Sequence, residues 1–203
     1  MAAPITHIVL TEKIYSKYFS NKNKKEFIVG TCIPDIRYLG VINRDKTHFE
    51  NVFLKTILYK NSFDAGLLFH SLVDEIRANY MDSNNYYSLF PNSNLITQAS
   101  KIFEDNVLYN KISNWKEIND YFDKIYKSER DLGIKSEDIE KWHKLLKNYF
   151  RNHENDGVIA FTTGLGFPLE KAKEIENVIR STNTKKAKEV VLEFYNNFEK
   201  LIR

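Results

Sequence analysis

Apolar residues along this chain recur at helical spacing, and strict alternation of apolar and polar positions is hard to find. A first helix is expected from about Pro4 to Phe19, with Ile5, Ile8, Val9, Tyr15 and Phe19 on or near one side. Pro4 suits its first turn, and the Asn21–Asn23 loop ends it. A second apolar stretch, Glu26 to Ile33, stops at Pro34, because the residue before a proline is pushed away from helical angles. Asp35 is therefore expected at a break in the backbone. Thr47 is expected to cap a third helix that begins at His48. A fourth, near Ser62 to Met81, carries Ala65 and Gly66, which suggest a close approach to a neighbour. After the polar loop 82–85, helices are expected at about 94–109, 114–126, 136–152, 158–163 and 168–179. A last amphipathic helix over 184–202 carries Val190, Val191, Phe194 and Phe198 on its apolar stripe. The expectation is an all-α, single-domain, multi-helix bundle spanning 1–203.

Composition narrows this little. Hydrophobic residues at 42% and charged residues at 28% describe a globular chain rather than a disordered one. The net charge of +3 permits contact with phosphate-bearing partners. It does not make a dedicated nucleic-acid-binding patch, since the densest basic run, Lys22–Lys25, reads as a solvated loop. One cysteine, Cys32, excludes an intrachain disulfide and reads as a buried, inert thiol. No secretory signal or transmembrane run is visible, so the expected location is cytoplasmic.

The candidate chemistry lies in the first half. Three of the five histidines, His7, His48 and His70, fall there together with Asp35 and Asp74. His70 and Asp74 are four residues apart, which places them on one helix face within reach of one ion. A mixed His/Asp set suits zinc better than calcium. Each residue also has an ordinary reading: His7 and His70 as packed core, His48 as an exposed residue, Asp35 as a turn residue, and Asp74 as a partner of Arg77. Later in the chain, Glu104 and Asp105 read as a solvated acidic pair or as a source of one further ligand. His143 and His153 are ten residues apart, about 15 Å of helical rise, too far to share an ion.

The stretches Pro4–His7, Gly30–Asp35, Thr47–Phe49 and Ala65–Asp74 resemble, in order and in residue type, the zinc-dependent phospholipase C family, whose fold is shared by single-strand-specific zinc nucleases. The resemblance covers roughly residues 4 to 80. It implies a helical bundle of phospholipase C/nuclease type holding one to three zinc ions. One ion would be held by Asp35, His48, His70 and Asp74. A second would be held by His7, with Asp74 bridging; family members complete that site with a processed N-terminal amine and carbonyl. The family's third ion needs a further His and a His-x-x-x-Glu pair. This chain has no histidine between Asp74 and His143, and Glu104 is the acidic residue considered in their place.

The implied activity is hydrolysis of a phosphoester by metal-activated water, with Asp35 as the catalytic carboxylate. The expected partner is a phosphate-bearing small molecule, such as a nucleotide or small phosphodiester, or a phospholipid. The alternative is a helical metal-binding or regulatory protein without catalytic activity. An HD-type phosphohydrolase would need an adjacent His-Asp pair, which the chain lacks.

Overall fold

A computed structural model describes residues 3–182 and 184–203. Its helices are α1 (Pro4–Tyr18), α2 (Lys24–Cys32), α3 (Leu54–Leu58), α4 (Ser62–Ser83), α5 (Ile96–Leu108), α6 (Trp115–Asp120), α7 (Lys127–Arg130), α8 (Ser136–Arg151), α9 (Asp156–Gly164), α10 (Leu169–Arg180) and α11 (Thr184–Leu201), joined by short 3₁₀ turns. No strand occurs among the described residues, so the chain is all-α. No helix among them is long and apolar enough to cross a membrane.

Local chemistry accounts for several helix starts. Asn23, Asn61 and Asn114 each accept a hydrogen bond from a backbone N–H three residues on, opening α2, α4 and α6. The start of α1 is capped from a distance. Ala3 has no capping side chain, and the Asp105 carboxylate on α5 accepts from the backbone N–H of Ile5 (3.2 Å) and Thr6 (2.7 Å). Thr6 and Tyr149 add hydroxyl donors to the same carboxylate. Helix α1 is buried on every side from Pro4 to Thr11, so it forms the centre of the bundle rather than a one-faced surface helix.

The closest helix pair, α2 and α4, meets at two glycines. A Cβ on Gly30 would lie 2.2 Å from the Phe63 carbonyl oxygen, and one on Gly66 would lie 2.0 Å from that of Phe27. Both obstacles are backbone, so neither can yield by a rotamer change. We expect Gly66→Ala to destabilise the protein by about 3 kcal/mol, at or beyond the usual range for overpacking. Urea unfolding measures this, and a loss under about 1 kcal/mol would contradict the close approach.

Two elements differ from the sequence expectation. Thr47 does not cap a helix starting at His48. It ends a short 3₁₀ turn over Arg44–Lys46, and the chain stays irregular to Phe53, with Asn51 at φ 55°. The Phe49 N–H donates to Ser71 Oγ, tying this segment across α4 in place of helical bonds. The helix expected over 114–126 ends early, at Asp120, and the short helix α7 follows only after an irregular stretch over 121–126. Glu129 starts α7 afresh, its carboxylate accepting locally from the backbone N–H of Tyr126 and pairing across the fold with His143 at 2.7 Å.

Candidate metal centre

Helix α4 presents His70 and Asp74 one turn apart, and His70 Nε2 lies 3.4 Å from Asp74 Oδ2. The glycine contact brings α2 against this face, so that the Thr31 carbonyl lies 2.9 Å from His70 Nδ1. A carbonyl can only accept, so Nδ1 carries the proton and, in the neutral ring, the Nε2 lone pair faces the centre. Beyond α2 the chain turns through a 3₁₀ segment, Ile33–Leu39, that sets Asp35 beside them. The irregular segment after Thr47 delivers His48, whose Nε2 lies 3.3 Å from His70 Nε2 and 3.8 Å from both Asp35 Oδ1 and Asp74 Oδ2. The Thr47 hydroxyl, 3.0 Å from His48 Nδ1, orients that ring. From α1, His7 stacks on His70 with ring centroids 3.9 Å apart, and its Nε2 lies 3.3 Å from Asp74 Oδ1.

All five candidate side chains of the first half therefore converge, and all five are buried. They form two overlapping groups with metal-ligand spacing, His7 with His70 and Asp74, and Asp35 with His48 and His70. Donors at 2.0–2.1 Å from a tetrahedral zinc are about 3.3 Å apart, which is the spacing of the closest pairs here. Hydrogen bonding does not use up these atoms. Among the described residues, His7 Nδ1 and Asp35 Oδ1 have no hydrogen-bond partner, and His7 Nε2 has only its approach to Asp74. Buried polar atoms in native proteins seldom go without partners, so converging donors of this kind fit a cation.

The electrostatics agree. Burial, reinforced by the neighbouring His70, pushes His7 and His48 down to about 3, so both rings are neutral at ordinary pH and offer lone pairs. Burial also opposes charge on His70 and Asp74. Their mutual attraction outweighs it, leaving His70 raised and Asp74 held well below the usual carboxylate range. Asp35 is raised by burial. Two openings reach the centre. A cleft of about 390 Å³ lies on the side of His48, Ser71 and Asp74, and a smaller cavity of about 50 Å³ lies against Asp35.

The structure corrects the reading of Glu104 and Asp105 as a solvated acidic pair, because both are fully buried. Glu104 also stands outside both donor groups. It forms a bidentate ion pair with Arg77, 2.5 Å from Nη2 and 2.8 Å from Nε. This takes Arg77 as well, which the sequence had offered as a partner for Asp74. Tyr86 and Phe90 belong to the core, while the Tyr87 hydroxyl accepts from Arg77. His143 is buried against Glu129, and His153 stacks on Tyr109; neither joins the centre. The roles of Thr31 and Thr47 in orienting the histidines had no sequence signal, since one acts through its backbone and the other looked like a helix cap.

No family model matches the chain, and no curated protein or solved structure is significantly similar to it.

Proposed function

We propose that this protein is a metal-dependent phosphoester hydrolase whose cation, zinc by donor chemistry, is held by Asp35, His48, His70 and Asp74, with His7 and Asp74 offering an adjoining position. The observation that carries the reading is the convergence of these buried donors at ligand-to-ligand spacing. The resemblance of residues 4 to 80 to zinc-dependent phospholipase C points the same way. When bound, zinc lowers the pKa of water toward neutrality and offsets negative charge on a phosphoryl oxygen.

The protein's own groups supply the rest. Thr31 and Thr47 hold the two imidazoles in orientation, a constraint that commonly contributes ten- to a hundredfold to metal affinity. Asp35, with its carboxyl raised by burial and facing a cavity, takes the proton of the attacking water. The surrounding core keeps bulk solvent away, which strengthens each of these interactions.

The test uses zinc-loaded protein and bis(p-nitrophenyl) phosphate, followed by phospholipid and single-stranded nucleic acid substrates. Asp35→Asn should lower turnover by about a hundredfold or more while the protein retains zinc at least in part. Full zinc occupancy with no hydrolysis of any of the three substrate classes would favour the alternative of a metal-binding protein without catalysis.

A further inference from the structure

We propose that Lys101 is the anchor of an oxyanion subsite beside Asp35, sized for a single phosphate group. The proposal rests on the metal centre of the hydrolase reading but not on its catalytic activity.

The cavity of about 50 Å³ next to the centre is lined by Asp35, Tyr38, Gln98, Lys101 and Thr162 among apolar neighbours such as Trp142 and Phe161. A water site needs roughly 10–15 Å³ of such space, so about four fit, close to the heavy-atom count of a phosphate. Lys101 is half-buried on α5 and makes no hydrogen bond or ion pair with a described residue. A lysine in such surroundings ordinarily takes a carboxylate partner. The nearest candidate on its own helix, Glu104, is already committed to Arg77 through two bonds.

Burial and then the positive charge of Arg77 push Lys101 down, and its counterbalance is the more distant carboxylates of Asp35, Asp74 and Glu104, which offset this only in part. That balance changes when a divalent cation binds. Asp35 and Asp74 then neutralise the ion, Glu104 remains with Arg77, and the ammonium of Lys101 is left without a counter-charge. An anion reaching the cation through this cavity restores neutrality at both. Gln98 adds a second unmet requirement, because its Oε1 is buried in the structure without a hydrogen bond. The protonated oxygen of a hydrogen phosphate would satisfy it. The apolar walls exclude competing water and so favour a ligand that brings charge and hydrogen bonds together.

Inorganic phosphate is the probe, titrated calorimetrically into wild type, Lys101→Met and Lys101→Gln, each with and without one equivalent of zinc. Zinc content is measured in parallel by elemental analysis. Loss of one charge-assisted hydrogen bond should weaken phosphate binding by about ten- to a hundredfold in both variants, with zinc content unchanged. Lys101→Arg should recover part of the loss. If both variants bind phosphate as tightly as wild type while folded by circular dichroism, the subsite is overturned. It is also overturned if wild type binds no phosphate at millimolar concentration in either form. If zinc-loaded wild type binds phosphate and the variants bind it more weakly, yet none of the three substrate classes is hydrolysed, the subsite stands and the hydrolase reading fails.

Discussion

Replacing His70 with alanine should abolish metal binding. His70 is the one residue common to both donor groups, it stacks on His7, and its Nδ1 bond to Thr31 fixes its direction. Disturbing a group that merely orients a ligand costs ten- to a hundredfold in metal affinity, so removing this ligand should cost more than about a hundredfold. His153→Ala is the control, since His153 lies against Tyr109 outside the centre. Elemental analysis after dialysis at micromolar zinc should return one or more ions per wild-type chain, the same for His153→Ala, and almost none for His70→Ala. Equal zinc content in the two variants would reject the assignment. Heat should report the same event. At a hundredfold excess of zinc over Kd, binding to the native state alone adds roughly 2.7 kcal/mol, so a chelator should lower the Tm of wild type and leave that of His70→Ala unchanged.

The second large effect is expected at Glu104. Arg77 and Glu104 are both fully buried, and the guanidinium also donates to Ser100 and Tyr87. Burial works against the charge on Arg77, and the Glu104 carboxylate more than offsets it, holding the guanidinium raised. Glu104→Ala leaves that cation buried without its counter-ion, and removal of one partner from such a pair costs about 3–5 kcal/mol. Replacing both together, as Arg77→Leu with Glu104→Leu, should cost less than Glu104→Ala alone, because two charges leave the interior instead of one. Urea unfolding of the three proteins decides this, and a Glu104→Ala loss below about 1 kcal/mol would mean that the pair is not buried as described. The folded fraction of Glu104→Ala should still bind zinc, which separates Glu104 from the metal ligands. Arg77 is one turn beyond Asp74 on α4, so a modest loss of affinity is expected and a complete loss is not.

The sequence was sufficient wherever the deciding physics is local. A 3.6-residue period marks a buried helix face without knowledge of what covers it, so the all-α class and most helices were legible. Four-residue spacing on one helix placed His70 beside Asp74. Gly66 signalled the close approach that the Phe27 carbonyl confirms; Pro34 did not break the chain as expected, since Ile33 keeps helical angles and the helix tightens into the 3₁₀ segment that carries Asp35. Tertiary structure decided whatever depends on distant partners. A carboxylate looks solvated in sequence, and only a partner elsewhere makes its burial affordable. Glu104 finds Arg77 across 27 residues, and Asp105 finds the start of α1 across about 100. Thr47 has the composition of a helix cap, yet the packing of its segment over α4 turns it to His48 instead. Nothing in the sequence singled out Lys101, because its isolation follows from Glu104 being engaged by another helix. The convergence of His7, Asp35 and His48 on the α4 pair is likewise a property of the fold, since backbone geometry relates residues along one helix but not residues on separate segments.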